Sequence, residues 1–380
     1  MGGNTVLISA MILFGSLNTI VRKAQMVTCA SSSFPVNPDL ANQCDDISQE
    51  PFNKPWIGNC FMFIGELLLF LVVASDRRRT STNAIISLPE LPWYYFSVPA
   101  VLDVLGSGLS GVSMLFISAS TWQLLRGSII LYTALLSVIF LGRKLGAQHV
   151  TGLLITVLGL TLVGISAYLE TTEYSLSFTS SGNSATVIVG IGLTIASQFC
   201  SAIQMVVEEY LLKSANAAMY APPSPARIVA YEGLCGLIVM LIVLVIMQYA
   251  PGDDHGSFEN SLDSIDKISR SPVLLFLIIV YCISISLFNQ SGMAVSKYLS
   301  SLHRTLIDSL RAIVVWVVEL SIFYSTGSTR YGTGWTSSSF IQLIGFICLI
   351  LGTLVYNEVV IIFKRATREE ERAILQLENE

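Results

Sequence analysis

PVLLFLIIVYCISISLFNQSGMAVSK, residues 272–297, holds no charged side chain before its final lysine. A bilayer core about 30 Å thick is crossed by about 20 consecutive apolar residues in a helix, so this run is long enough to span it. Runs of similar character recur on both sides. They predict helices at 4–27, 56–75, 94–115, 118–141 and 147–169, then at 185–213, 227–250, 272–297, 300–325 and 337–363. The expected fold class is therefore an all-α integral membrane protein of about ten transmembrane helices. Trp56, Trp93 and Trp335 stand at helix starts, where indole rings favour the water–lipid boundary.

Composition agrees with this. Of 380 residues, 53% are hydrophobic and 12% charged, about half the charge of an ordinary soluble domain, and the mean hydropathy is +0.66. The stretch Val6–Val21 has its positive charges, Arg22 and Lys23, after the apolar run and none before it. That order suits a retained first helix rather than a cleaved signal peptide. No CxxC, HExxH or P-loop pattern occurs, and the three histidines lack ligand spacing. These absences speak against a metalloenzyme or ATP-driven pump. No enzyme activity, metal, cofactor or nucleic-acid partner is expected.

Topology follows from the basic residues. The side shared by both termini carries thirteen: Arg77, Arg78, Arg79, Arg143, Lys144, Lys213, Arg227, Lys297, Arg304, Lys364, Arg365, Arg368 and Arg372. The other side carries six, namely Arg22, Lys23, Lys54, Lys267, Arg270 and Arg330. This bias places the termini in the cytosol and the polar loops 28–55 and 251–271 in a lumen or outside. Cys29 and Cys44 could then pair under oxidising conditions. The other five cysteines lie in apolar runs and read as small hydrophobes.

The halves resemble each other. Leu125-Arg126-Gly127 answers Leu310-Arg311-Ala312, Gly152 and Gly159 answer Gly345 and Gly352, and Glu66 answers Glu232. Five helices is an odd number, so such a repeat is inverted across the membrane, with a solute site between the halves near the midplane. The expected organisation is a first repeat over 1–169, a linker over 170–184, a second repeat over 185–363 and a cytosolic tail over 364–380.

Eight ionisable side chains fall inside predicted spans: Glu66, Asp103, Arg126, Glu208, Glu232, Asp308, Arg311 and Glu319. Each costs roughly 2.5–3.5 kcal/mol facing lipid, and the set would exceed the ~5–15 kcal/mol stability of a typical fold. They must point inward. Asp308 and Arg311, at i and i+3, could satisfy each other and do nothing more. Six acids and two bases cannot all neutralise in pairs, which favours a cavity able to take a cation or a proton. Asn18, Gln204 and Asn289 extend this polar lining. Gly106, Gly108 and Gly111 read as close-packing positions. In the tail, Glu370-Glu371-Arg372-Ala373-Ile374-Leu375 has the form of an acidic dileucine signal, though an exposed amphipathic helix explains it as well.

At these residues the chain resembles the F-type branch of solute carrier family 35, in the drug/metabolite transporter (EamA-like) superfamily that includes the chloroquine-resistance transporters. The matching strings are Gly65-Glu66, Asp103, Ser120-Thr121-Trp122-Gln123-Leu124-Leu125-Arg126-Gly127, Gln204 to Glu209, Glu232-Gly233-Leu234, and Phe288-Asn289 through Asp308-Ser309-Leu310-Arg311 toward Trp316. Gly352-Thr353 and Tyr356-Asn357 complete them. The resemblance implies ten helices in two inverted halves and adds Gln123 to the cavity residues. The FYNN and GALNK strings of GDP-mannose carriers are absent, which argues against a nucleotide-sugar substrate.

The sequence thus points to a secondary-active transporter of a small cationic or zwitterionic solute by alternating access, with proton coupling through at least one of Asp103, Asp308, Glu66 and Glu232. Its expected setting is a lysosomal, vacuolar or Golgi membrane, and a homodimer is compatible with it. The alternatives are a nucleotide-sugar exchanger using Arg126 and Arg311 as phosphate partners, or a non-transporting scaffold. Cytosolic termini predict that protease added to intact organelles removes a C-terminal tag. A tag protected until detergent is added would reverse the orientation.

Overall fold

The computed structural model describes residues 2–36, 48–80, 91–113, 125–174, 184–213, 223–252, 254–327 and 334–362, with a few single positions between them. Gln123, the first part of the predicted fourth helix, most of the linker, Arg330 and the tail lie outside the described residues. The helices are α1 (Gly2–Val27), α2 (Pro55–Leu67), α3 (Leu69–Thr80), α4 (Ser97–Ser113, entered through a 3-10 turn at Trp93–Phe96), α5 (Ile129–Leu141) and α6 (Ala147–Tyr174). There follow α7 (Ser184–Lys213), α8 (Pro225–Tyr249), α9 (Ser261–Arg270), α10 (Pro272–Tyr298), α11 (Ser301–Thr326) and α12 (Ser339–Tyr356). Among the described residues, eight stretches are long and apolar enough to cross a membrane. The chain is an all-α integral membrane protein.

Helix starts are written locally. Pro225 and Pro272 occupy the first turns of α8 and α10, where a missing N–H costs nothing. Ser224, Ser271 and Ser300 each accept a bond from a first-turn amide of the helix that follows. Gly142 and Gly327 end α5 and α11 with φ of 64° and 68°, a left-handed conformation that glycine adopts without Cβ strain.

The structure departs from the predicted elements in several places. The expected helix 56–75 is divided at Leu68. The Ser286 hydroxyl of α10 donates to the Gly65 carbonyl oxygen, and the Leu68 N–H takes that same oxygen at 3.0 Å in a tightened i+3 bond. A side chain inserted into the backbone ladder breaks a helix in this way. Loop 251–271 contains α9, which is amphipathic the wrong way round for a surface helix: Asp263, Ser264 and Lys267 are buried while Leu262 and Ile265 are exposed. The final helix stops at Tyr356, short of 363, where the Gln148 amide donates to Val355 O and Val360 O. Trp56 is buried rather than set at a lipid boundary, and packs under Gly108. Gly106 lies close against Ser201, but Gly111 faces open space, so its small size is not explained by packing.

α6 and α12 run antiparallel with their backbones touching. A Cβ on Gly152 would sit 2.8 Å from Gly352 O, and one on Gly159 would sit 2.7 Å from Gly345 O. The two glycine pairs therefore face each other crosswise, Gly152 against Gly352 and Gly159 against Gly345, as an antiparallel pairing requires, since small residues let membrane helices approach. Elsewhere α1 packs on α10 and α4 on α7, while α2 meets α8 at Gly233.

The two polar loops are clasped together. Cys29 and Cys44 are disulfide-bonded, with their Cα atoms 6.0 Å apart, and residues 29–30 pair with 50–51 as a short antiparallel ribbon. Lys267 Nζ lies 2.9 Å from Glu50 and 2.8 Å from Asp263. Lys54 Nζ lies 2.9 Å from Asp263 and also pairs with Asp254. Glu259 accepts the Trp56 and Ile57 N–H groups at 2.9 and 2.7 Å, satisfying orphan amides at the start of α2. His255 joins Glu50 and Asp263 in a group with metal-ligand spacing, but two ammonium groups already neutralise those carboxylates.

Burial alone would raise the Asp263 carboxyl, but Lys267 and Lys54 outweigh it and hold the value at about 2. Burial would likewise lower Lys267, yet Asp263 and Glu50 pull it above the usual lysine value. The Asp263 contribution to stability is thus complete above the unfolded aspartate value of about 3.9 and is lost as pH falls through about 2. Glu259 behaves oppositely. Burial exceeds the pull of its two amides and raises it, so its contribution is present in acid and lost as pH rises through the raised value.

Two outcomes are expected. Deuterium exchange in 261–270 should show the Asp263 pairs intact from pH 7 down to about 4.5, and Asp263→Asn should destabilise the clasp by about 1.5–3 kcal/mol, because Lys267 keeps Glu50 and Lys54 keeps Asp254. Gly159→Leu should lower the detergent melting temperature through overpacking worth about 1–3 kcal/mol. Gly192→Ala, where a Cβ meets nothing within 4 Å, is its control.

Candidate functional site

Glu66, two residues before the division at Leu68, lies at the meeting of α2, α8 and α10. Asn289 Nδ2 donates to Glu66 Oε1 at 2.5 Å. A Cβ on Gly233 would lie 2.6 Å from Glu66 Cβ, so α2 and α8 are in contact here and Glu232 lies alongside. From α7, Gln204 donates to Glu208 Oε1 at 2.9 Å and also bonds the Asp103 carboxylate of α4. Arg304 of α11 pairs with Glu208. Gly292 makes room for it, since a Cβ there would come within 2.8 Å of the guanidinium Nε. Glu66, Asp103, Glu208 and Glu232 thus interact electrostatically around one cation, Arg304.

The balance is acidic. Glu208 has a guanidinium, whereas Asp103 and Glu66 have neutral amide donors. Glu66 Oε2 and Glu232 Oε1 are buried and hydrogen-bonded to nothing among the described residues. Buried carboxyl oxygens without partners are costly.

A second cluster of opposite sign lies one turn further along α11. Arg126 and Arg311 approach the same oxygen of Asp308, at 3.7 and 3.3 Å. The Arg311 guanidinium stacks over Phe288, 5.1 Å from the ring centroid.

Ten of the eleven cavity residues expected from the sequence are described. Glu66, Asp103, Gln204, Glu208, Glu232 and Asn289 come together in the acidic cluster, and Arg126, Asp308 and Arg311 form the basic one. Asn18 stands apart and meets Ser284 of α10 at 3.4 Å. Glu319 is a peripheral ion pair with Lys23 at 2.8 Å. Sequence reasoning missed Arg304, which was counted as a cytosolic charge but is only 7% exposed in the acidic cluster. Its position four residues into a helix gave little warning; the excess of acids facing it was the better signal. Glu209 was missed too. It is fully buried and gathers Arg143, Lys213 and the Ser301 N–H at that end of the bundle.

The profile of the nucleotide-sugar transporter family matches residues 74–323. The chain belongs to that family. It is 32% identical over 355 residues to solute carrier family 35 member F6 of Homo sapiens and of Pongo abelii, covering 91% of this chain and 86% of each relative. An uncharacterised Schizosaccharomyces pombe protein is 31% identical over 306 residues, covering 79% of this chain and 85% of its own. A solved crystal structure shares the fold with a TM-score of 0.57 at 10% identity, covering 95% of this chain and 99% of the other. These relationships make the protein a membrane transporter of the F-branch of solute carrier family 35, not an enzyme.

Proposed function

We propose that this transporter carries a small organic cation or zwitterion by proton-coupled alternating access, with Glu66 and Glu232 as the groups that bind the proton or the ammonium. One observation carries the reading: Glu66 Oε2 and Glu232 Oε1, on contacting helices, are both buried and without hydrogen-bond partners among the described residues. A positive charge that arrives and leaves is the simplest way to satisfy them. Asp308, facing two guanidinium groups, is the poorer choice of coupling group.

Alternating access is supported by the pattern of helix neighbours. The α1–α10 contact has its counterpart in α7–α4, α5–α7 in α11–α1, and α2–α10 in α8–α4. The pairs α2–α8, α5–α11 and α6–α12 are their own counterparts. Two inverted five-helix units, 1–169 and 185–363, would generate this set, with Glu66 and Glu232 meeting on the axis between them. We place the termini in the cytosol and the clasp on the lumenal face of an intracellular membrane, on the strength of the charge bias. A nucleotide-sugar substrate is the second reading, favoured by the family profile.

Proteoliposomes separate these readings. With an imposed pH gradient, wild-type protein should accumulate labelled organic cations. Glu232→Gln should fold, lose at least about ten-fold of gradient-driven uptake, and retain exchange at equal pH. Wild-type uptake in both Glu232→Gln and Glu66→Gln would overturn the coupling assignment. Accumulation of UDP- or GDP-sugars instead of cations would favour the second reading.

A further inference from the structure

A helix that buries its charged side chains and exposes its aliphatic ones suits lipid better than water. α9 is built this way. Asp263, Ser264 and Lys267 are buried on the clasp side, while Leu262 and Ile265, on the opposite face, are 62% and 58% exposed. We propose that α9 lies flat in one leaflet of the bilayer, with Leu262 and Ile265 inserted among the acyl chains just below the headgroups, so that lipid is the partner of this face.

Both ends of α9 are fixed at the level where membrane spans end. At its start, the Ser261 N–H donates to Gln248 Oε1 at 2.8 Å, and Gln248 Nε2 donates to Asn260 Oδ1 at 3.3 Å. Gln248 belongs to the last turn of α8. The Phe258 N–H reinforces this level by donating to Met247 O and Ala250 O at 3.1 and 2.7 Å. At the other end one residue joins α9 to α10: the Ser271 N–H donates to Lys267 O at 3.1 Å, and Ser271 O accepts the Leu275 N–H at 3.0 Å. α8 and α10 have 25 and 27 residues, about 38 and 40 Å of helix. Such lengths end within the roughly 40–45 Å of a bilayer with its headgroups. A helix tied at both ends to these levels runs along the membrane surface rather than away from it.

The exposed face continues a surface that already meets lipid. Tyr249 at the end of α8, and Val273 and Phe276 at the start of α10, are exposed apolar residues of two membrane spans. Ser269 shares the face of Leu262 and Ile265, and turns its hydroxyl back to Asp266 O at 2.7 Å, so that group is satisfied within the helix. The other polar side chains are engaged within the protein. Asp263 meets Lys54 and Lys267, Ser264 donates to Asn260 O at 2.9 Å, and Asp266 accepts the Ser33 N–H at 2.6 Å and pairs with Arg270 at 3.0 Å. An ordinary interfacial helix turns its polar face to headgroups and water. Here that face meets the clasp, and α9 separates the clasp's ion pairs from the acyl chains. The inference is independent of the transported solute and of which side of the membrane carries the clasp.

Nitroxide accessibility tests this in full-length protein reconstituted in phosphatidylcholine vesicles. Leu262→Cys and Ile265→Cys are spin-labelled, with Phe276→Cys as the lipid-facing reference and Ser48→Cys, in the exposed loop, as the aqueous one. Labelled wild type is subtracted to remove the native thiols. Both α9 positions should resemble Phe276: relaxed by oxygen, which dissolves in acyl chains, and several times less than Ser48 by a water-soluble nickel chelate. Relaxation by nickel equal to that at Ser48 overturns the proposal. Shielding from both oxygen and nickel overturns it too, since a second copy or another protein then covers the face. If the cysteine variants do not fold, unmodified protein decides. A phosphatidylcholine with a diazirine high on one acyl chain should, on irradiation, leave adducts on residues 261–270. Adducts on α10 with none on 261–270 overturn the proposal.

Discussion

A carboxylate cannot face hydrocarbon, and that exclusion organises the centre of this protein. Burial of Glu66, Glu208 and Glu232 forces α2, α7 and α8 to turn one face toward a common interior. The outer faces are then free to be apolar, as Leu71, Ile139, Phe140, Ile188 and Phe276 are. Arg304 reduces the mutual repulsion of the acids without cancelling it. What remains among the described residues is an excess of buried carboxyl groups over cations.

α11 has a special position in this arrangement. It carries Arg304 toward the acids and Asp308 with Arg311 toward Arg126, so both clusters share one rigid element. Its N-terminus is anchored by Glu209, which accepts from the Ser301 N–H and hydroxyl. Toward the other end Glu319 reaches Lys23 of α1. A shift of this helix would alter both charge environments together.

Much of this was legible in the sequence, and the exceptions have physical causes. Length and apolarity located the long helices because a bilayer demands both. The glycine pairs were legible because a spacing of seven returns to the same helix face, although only the structure showed that the pairs face each other. The division at Leu68 was hidden because its cause, Ser286, is remote in sequence. Helix α9 was hidden because its polar side faces protein, which inverts the usual pattern. Arg304 looked like a flanking charge because residues near a helix start are ordinarily solvated. Asp308 was expected to be a proton carrier or a partner of Arg311, and the second guanidinium facing it, from Arg126, could not be inferred from i,i+3 spacing alone.

The division at Leu68 has a mechanical meaning. With the Gly65 carbonyl taken by Ser286 and by the Leu68 amide, one rung of the α-helical ladder is already absent in the resting fold. Residues 55–67 are pinned at their start by Glu259, and α3 follows through a tightened turn, with Leu71 N–H donating to Leu68 O, instead of through an unbroken ladder. The weakened stretch of ladder lies two residues from Glu66, so the least continuous point of the α2–α3 span adjoins a buried charge.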